Sequence, residues 1–133
     1  MSKENVEIVR RFVDRALETP DAVWDIFDED VEWDLGPLAT PDFPPVSRGP
    51  EGVREFFRRW AGTFEDWGYE IEEWIDTRNA VALHVHQWGR GKGSGAAVDQ
   101  RFWQVWTMRN GQAVRVTHRA DRAGALEAAG LSE

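Results

Sequence analysis

Residues 98–119, with the sequence VDQRFWQVWTMRNGQAVRVTHR, decide the fold of this chain. Polar and apolar side chains alternate on both sides of Asn110-Gly111, a dipeptide typical of two-residue hairpin turns. A period of two is the pattern of a strand with one buried face, so the stretch predicts two antiparallel strands. One face of this hairpin is predicted to carry Gln104, Trp106, Met108, Val114, Val116 and His118.

Two further strands precede this hairpin. Residues 69–75 and 81–88 alternate with the same period of two, and residues 76–79 form a turn between them. Residues 89–95, GRGKGSG, are rich in glycine but lack the Gly-Lys-Ser/Thr ending that leads a phosphate-binding loop into a helix. We therefore interpret them as a hairpin connection and the four strands as an antiparallel meander.

Helical periodicity flanks the meander. Apolar residues recur at helical spacing in the segments 3–17, 20–27, 49–62 and 121–129. Between the second and third segments, residues 31–34 alternate as a short strand, and residues 36–50 hold five of the six prolines. A segment so rich in proline is neither a helix nor a central strand. Its apolar residues favour an ordered flap over a flexible linker.

Composition narrows the class of protein. The chain has 133 residues, close to the usual size of one domain, and we expect residues 1–133 to form a single domain. The absence of cysteine excludes disulfides, and a formal net charge of −8 argues against a nucleic-acid partner. No signal peptide or membrane span is visible, so a soluble cytoplasmic protein is expected. Eight tryptophans require a large core, a lined pocket or an interface.

Several short stretches, none specific alone, follow one another in the order of a known family. They are VRRF at 9–12, DVEW at 30–33, RGPEGVREF at 48–56, GRGKGSG at 89–95, VWTMRNG at 105–111 and ALEAAGL at 125–131. Together they resemble the SnoaL-like branch of the nuclear transport factor 2-like superfamily.

The resemblance implies an α+β fold: a cone-shaped, curved antiparallel sheet (an α+β barrel) with helices on its concave side and an apolar cavity. Relatives include polyketide cyclases, ketosteroid isomerases, a limonene-type epoxide hydrolase and scytalone dehydratase, and others that only bind. Two functions therefore stay open. One is a cofactor-independent isomerase, cyclase or hydrolase that moves protons on a polyketide-, terpenoid- or steroid-like molecule. The other is a non-catalytic homodimeric ligand-binding or adaptor module.

His118 and Asp34 are the candidate catalytic residues. His118 ends a strand on the predicted inner face, and histidine exchanges protons near neutral pH; a hydrogen-bonded core histidine is the alternative. Asp34 lies near the place where the isomerase relatives have their general base. Leu35 competes for that position, and alternation with Trp33 would turn Asp34 outward. Gln104 takes a place where an isomerase would have an acid, and glutamine exchanges no proton.

The expected ligand is a small apolar molecule held by aromatic walls and a few polar groups. The predicted ligand-binding residues are Trp33, Trp60, Phe64, Tyr69, Gln100, Phe102, Gln104, Trp106 and Val116. A homodimer interface is predicted on the outer face of the sheet, where aromatic residues and arginine gather. Its residues are His84, His86, Trp88, Arg101, Trp103 and Arg115. The His84-x-His86 pair names no third metal ligand, so neither a metal nor a cofactor is expected.

Overall fold

The computed structural model describes residues 2–15 and 24–130. The α-helices in these ranges are α1 (Ser2–Arg15), α2 (Gly49–Thr63) and α3 (Arg122–Ala128). The strands are β1 (Phe27–Asp34), β2 (Val46–Arg48), β3 (Phe64–Asp76), β4 (Ala80–Gly91), β5 (Ala97–Arg109) and β6 (Gln112–Arg119). None of the described helices is long and apolar enough to cross a membrane.

The six strands form one curved, unclosed sheet in the order β2-β1-β6-β5-β4-β3. Strands β3 to β6 are consecutive antiparallel neighbours, which confirms the predicted meander. Asn110 and Gly111 form the last turn, and both have positive φ, as the tightest hairpin turns require. β1 joins the far side of β6 in parallel, and β2 pairs antiparallel with β1. The sheet is therefore mixed at this end.

A β-bulge in β3 changes which side chains face the main core. The register with β4 shifts between Ile71 and Glu73. Before the shift, Tyr69 and Ile71 pack on the main core, as alternation predicts; after it, Trp74 packs there and Ile75 packs on the opposite face. One extra residue in a strand exchanges its two faces. The unbroken alternation read from the sequence therefore does not hold beyond Ile71.

The main core lies between the inner face of the sheet and the helices α1 and α2. Val9 and Phe12 of α1 and Val53 and Phe56 of α2 are buried against it. Helices present apolar side chains every three or four residues and strands every second residue, so the two patterns meet in one layer. Phe12 contacts Trp106 of β5 there, with ring centroids 5.3 Å apart.

The third helix packs on the other face of the sheet. Ala125 of α3 is buried together with Ala82, Trp103 and Val105, whose side chains point away from the main core. Of the described helices, α1 and α2 thus occupy the concave side. Trp103 is only 3% exposed because α3 covers it. Its predicted place in an open dimer interface is corrected: within one chain Trp103 is a core residue.

The helix predicted for residues 20–27 is not seen in its described part. Residues 16–23 lie outside the described ranges, and Trp24–Ile26 forms a single 3₁₀ turn. Phe27 starts β1, where it pairs with Ala113 of β6. This partner strand is distant along the chain, so periodicity alone does not reveal it.

The proline-rich segment is ordered, as the flap prediction requires. It contains a 3₁₀ turn at Gly36–Leu38 and the short strand β2. The Leu35 N–H donates to the Pro45 carbonyl at 2.9 Å, which closes the segment into a loop. Phe43 packs against Trp60 of α2, with ring centroids 5.3 Å apart. The flap is thereby fixed over one end of the main core.

Gly36 stands where the flap leaves β1, in a conformation that side chains rarely adopt. Its φ is +54°, and a Cβ there would lie 2.8 Å from the backbone oxygen of His118. We expect Gly36→Ala to lower the free energy of unfolding by about 2 kcal/mol, through left-handed strain and displacement of that backbone. Urea denaturation measures the change.

Gly62→Ala in α2 is the matched control for this substitution. A Cβ at Gly62 meets nothing within 4 Å, so the change is expected to be neutral or mildly stabilising. Equal losses of stability in the two variants would contradict the close contact at Gly36.

Candidate functional site

A cavity of about 360 Å³ lies between the inner face of the sheet, α1, α2 and the flap. Its size is near the lower end of the roughly 300–1,000 Å³ typical of small-molecule sites. Phe12 of α1, Phe56 and Phe57 of α2, and Leu38 and Thr40 of the flap contribute to its wall. Val13 of α1, Trp60 of α2 and further flap residues also line it, and the sheet supplies the rest, including the three glutamines and His118 discussed below.

Most of the residues predicted to bind ligand line this cavity. Those in the wall are Trp33, Trp60, Tyr69, Gln100, Phe102, Gln104 and Trp106, and the predicted catalytic residue His118 lines it as well. Phe64 and Val116 are not part of it. Phe64 packs against Trp60, with ring centroids 5.1 Å apart, and Val116 is fully buried in the main core. Val116 faces the main core as alternation predicts, whereas Phe64, which helical spacing assigns to the helix before it, begins β3. Packing against neighbours leaves neither of them any cavity surface.

Hydrogen bonds around His118 fix its tautomer. Nδ1 lies 2.8 Å from the carbonyl oxygen of Asp34, which can only accept, so Nδ1 carries the proton. Trp106 Nε1, which can only donate, lies 3.1 Å from Gln104 Oε1. The amide nitrogen of Gln104 therefore faces His118 Nε2, at 3.2 Å. Nε2 accepts that N–H, and its one lone pair is occupied.

Burial and this network both favour the neutral ring of His118. Burial lowers the pKa of His118 to about 4, against a smaller rise from the hydrogen bond to the Asp34 carbonyl. Protonation would also put a hydrogen on Nε2, directly opposite the N–H of the Gln104 amide. If that amide turned round to accept this hydrogen, its NH₂ group would face the Trp106 N–H, and two donors would again meet. Near neutral pH His118 is thus an uncharged residue whose lone pair already has a partner.

Asp34 contributes its backbone rather than its side chain to the site. Its carboxylate accepts from the Gly36 N–H at 2.8 Å and pairs with Arg115 at 3.2 Å. The side chain is not in the cavity wall, because alternation with the buried Trp33 turns it away. Leu35, the alternative for that position, does line the cavity but has no group that exchanges protons.

A second fixed amide, Gln87, was not among the predicted site residues. Its Oε1 accepts from Trp60 Nε1 at 3.3 Å and from Trp67 Nε1 at 3.1 Å. Its Nε2 donates to Gln100 Oε1 at 2.9 Å. The available signal was its place in β4: Gln87 follows Val85 on the inner face, where a polar residue needs partners.

The described wall of the cavity carries no Asp, Glu, Lys or Arg. Tyr69 and His118 are its ionisable residues. The Tyr69 hydroxyl donates to the Val13 carbonyl at 2.7 Å, and burial raises the pKa of Tyr69. Both side chains are therefore neutral near neutral pH. An ionic ligand would lose its hydration here without gaining a counter-charge, so the wall favours uncharged molecules.

The outer face of the sheet carries a separate charged cluster. His86 lies between two carboxylates, with Nδ1 3.3 Å from Glu70 and Nε2 3.0 Å from Asp99. The bond to Glu70 raises the pKa of His86. Glu70, Glu72 and His86 are spaced closely enough for a metal ion, but both ring nitrogens of His86 already have carboxylate partners. The cluster is an ion-pair network on the face away from the cavity.

The sequence model of the SnoaL-like domain matches residues 9–116 of this chain. The matched region contains most of the cavity wall, although it stops before His118. No curated protein sequence matches the chain.

Solved structures of the nuclear transport factor 2-like fold superpose on most of the chain. A candidate SnoaL-like polyketide cyclase from Jannaschia sp. CCS1 has a TM-score of 0.78 at 18% identity, over 90% of this chain and 87% of that one. A nuclear transport factor 2-like protein of unknown function from Burkholderia pseudomallei K96243 gives 0.76 at 20% identity, over 93% and 95%. TerC, co-crystallised with polyporic acid, gives 0.71 at 21% identity, over 93% and 96%. These likenesses establish the fold.

Proposed function

The chain belongs to the SnoaL-like family, and from that premise we propose that its cavity binds a neutral, largely apolar small molecule. The fold includes polyketide cyclases and ketosteroid isomerases among its members, so it does not by itself choose an activity. The composition of the cavity wall carries the proposal: rings and aliphatic side chains, three amides, and no charged residue among the described lining. Such a wall suits a flat molecule with one or two hydrogen-bonding groups.

The polar groups of the wall are held in place before any ligand enters. Indole N–H groups fix the amides of Gln87 and Gln104, and the Asp34 carbonyl fixes His118. Side chains that are already ordered lose little conformational entropy on binding. This order supports specific recognition of a ligand rather than non-specific hydrophobic binding.

A matched pair of dyes tests the preference for neutral ligands. N-phenyl-1-naphthylamine and 1-anilinonaphthalene-8-sulfonate share one aromatic skeleton, and only the second is charged. We expect the neutral dye to bind about tenfold or more tightly, because the described wall offers the sulfonate no cation. Fluorescence titration gives both dissociation constants.

Filling the cavity provides the control for these titrations. Val85 of β4 lines the cavity, and Val85→Trp should weaken the neutral dye by about tenfold or more. Val98 is a half-buried valine of β5 outside the lining, and Val98→Trp should leave the affinity within about twofold. Equal affinity for the two dyes, or equal losses in the two variants, would contradict the proposal.

Cofactor-independent proton transfer by His118 is the second candidate, supported by its place in the cavity wall. An isomerase, cyclase or hydrolase of a polyketide-, terpenoid- or steroid-like substrate would need His118 Nε2 to exchange Gln104 for the substrate. Nearby amide N–H groups would stabilise an oxyanion. Deuterium exchange at the acidic carbon of 2-tetralone, followed by NMR, separates the two candidates. Acceleration that is lost in His118→Gln supports catalysis, and no acceleration supports a binding protein.

We also propose that two copies pair through the outer face of the sheet. With Trp103 set aside, the residues available there are His84, His86, Trp88, Arg101 and Arg115. Trp88, 37% exposed, is the exposed large apolar side chain among the described residues, and pairing would bury it. Sedimentation equilibrium should give twice the chain mass of 15.3 kDa, and Trp88→Glu should shift the equilibrium towards the monomer. A wild-type monomer at high concentration would contradict this pairing.

A further inference from the structure

A second cavity, of about 230 Å³, lies beside β2, the edge strand of the sheet, between the flap and α2. Its wall includes Phe43 of the flap, Val46 and Ser47 of β2, and Gly52, Phe56 and Arg59 of α2. Phe56 also lines the cavity described above, the main cavity, so its ring forms part of the partition between the two. The volume is below the roughly 300–1,000 Å³ of typical small-molecule sites, which suits a molecule with a single ring.

The wall of this second cavity contains a hydroxyl group without a partner. Ser47 faces Trp33 in the antiparallel register of β2 with β1, and facing residues lie on the same side of a sheet. The Ser47 side chain therefore points to the inner face, towards α2, and the residue is only 9% exposed. Its hydroxyl makes no hydrogen bond with a described residue, yet Ser47 Oγ still has open surface. A hydroxyl so nearly buried calls for a partner that enters from the second cavity.

Gly52 of α2 keeps the space above Ser47 open. Its φ is not positive, and a Cβ there would lie 3.6 Å or more from Ser47, which is ordinary van der Waals contact. Neither the backbone nor crowding therefore requires glycine at this position. Glycine inside a helix costs about 1 kcal/mol relative to alanine. The helix bears this cost where a longer side chain would grow into the second cavity.

The second cavity, unlike the described wall of the main cavity, carries charged side chains. Arg59 donates to the Asp42 carbonyl at 3.0 Å, and its guanidinium lies 5.1 Å from the centroid of the Phe43 ring. These two contacts position the cation and leave it further N–H groups for a ligand. Glu55, an acidic residue of the same wall, is already paired with Arg58. The wall therefore offers a positioned cation, while its carboxylate is engaged elsewhere.

The hydroxyl and the cation stand at opposite ends of the second cavity. Gly52, which lies over Ser47, and Arg59 are separated by two turns of α2, about 10 Å along the helix axis. The wall between them is apolar, with Phe56 on the helix and Val46 on the strand. The order along the cavity is thus a hydroxyl, an apolar middle and a guanidinium.

We infer that the second cavity is a binding site for a hydroxylated aromatic monocarboxylate of one ring. The ring packs between Phe56 and Val46, the carboxylate accepts N–H groups from Arg59, and the ligand hydroxyl pairs with Ser47 Oγ. This site is separate from the proposed function, because the described wall of the main cavity favours uncharged molecules. The two sites therefore take ligands of opposite character on the two sides of Phe56.

Three small molecules test the two polar ends: 4-hydroxybenzoate, benzoate, which lacks the hydroxyl, and 4-hydroxybenzamide, which lacks the charge. NMR titration gives the dissociation constant of each. We expect the wild type to prefer 4-hydroxybenzoate over benzoate by about three- to tenfold, the effect of one hydrogen bond. Ser47→Ala should abolish this preference. Ser94→Ala, at an exposed serine outside both cavities, should keep it.

The charged end has its own pair of variants. We expect 4-hydroxybenzoate to bind the wild type about fivefold or more tightly than 4-hydroxybenzamide, because a charge-assisted hydrogen bond to Arg59 is stronger than a neutral one. Arg59→Gln should remove this preference. Arg11→Gln, at an exposed arginine of α1 outside both cavities, should retain it.

Two filling variants locate the bound carboxylate. Gly52→Leu should weaken 4-hydroxybenzoate by about tenfold or more, and Val85→Trp, which fills the main cavity, should leave its affinity within about twofold. The reverse result would place the molecule in the main cavity and overturn the inference. So would no binding by the wild type, or equal preferences in wild type and Ser47→Ala.

A measurement on the wild type alone decides if the variants fail to fold. On addition of 4-hydroxybenzoate, the assigned backbone amide resonances of Ser47 and Gly52 should shift, and that of Val85 should not. Shifts at Val85 without shifts at Ser47 and Gly52 would overturn the inference. The dye titrations of the main cavity decide the proposed function separately.

Discussion

Trp106→Ala should lower the free energy of unfolding by about 3–5 kcal/mol, a large part of the stability of an ordinary domain. Trp106 is fully buried, and its ring lies 5.3 Å from Phe12, 5.6 Å from Phe27 and 5.9 Å from Trp33 between centroids. Its removal leaves a void among these rings. It also takes away the N–H that orients Gln104. Urea denaturation with a constant m value measures the loss.

Val98→Ala is the control for the loss at Trp106. Val98 is a half-buried residue of β5 outside the cavity lining and outside the proposed pairing face, so its truncation should cost less than about 1 kcal/mol. Comparable losses in the two variants would mean that the rings around Trp106 are not the centre of the core.

Acidification should destabilise the protein through His118. Its pKa is about 4 in the folded chain and 6.5 in a free side chain. Below about pH 6.5 His118 binds a proton in the unfolded chain but not in the folded chain, so the free energy of unfolding decreases as the pH falls. Most of the loss is reached at pH 4, where the unfolded chain is protonated and the folded chain is half protonated. Between pH 7 and pH 4 it amounts to about 3 kcal/mol.

The variant His118→Gln isolates this contribution from the other titrating groups. The difference in unfolding free energy between wild type and variant should shrink by about 3 kcal/mol as the pH falls from 7 to 4. The ion pairs of the outer face, including that of His86, are common to both proteins and cancel in the difference. A difference that does not change with pH would mean that His118 is solvated or charged in the folded chain.

The meander was predictable because its signal is local. A period of two, the Asn110-Gly111 turn and the glycine-rich connection lie in neighbouring residues. The observed pairing of Gln104 with His118 also needs the register shift between Thr107 and Met108, which no local pattern shows. The cavity wall followed largely from the same alternation. The curvature of the sheet was predicted from the family resemblance, because periodicity alone does not indicate it.

The rest of the fold depends on contacts between distant segments. The parallel pairing of Phe27 with Ala113 and the burial of Trp103 under α3 join residues that no local pattern connects. The bulge after Ile71 depends on how β3 pairs with β4. Unbroken alternation therefore predicts Ile75 on the inner face, whereas it packs on the opposite face.

The chemistry of His118 was the least predictable feature of the site. A histidine at the end of an inward-facing strand is equally consistent with a general base and with a buried, hydrogen-bonded residue. The distinction depends on which atoms meet its two nitrogens. The Asp34 carbonyl and the Gln104 amide, themselves oriented by backbone and by Trp106, settle which nitrogen holds the proton.

The affinity of wild-type protein for N-phenyl-1-naphthylamine, measured from pH 5 to pH 8, is the most direct test of an uncharged binding cavity. The dye is neutral throughout, and the pKa values of His118 and Tyr69 are displaced away from this range. We predict saturable binding whose dissociation constant stays within about twofold across the range. No binding, or a tenfold change centred near pH 6.5, would show that the cavity is closed to such molecules or that its wall titrates.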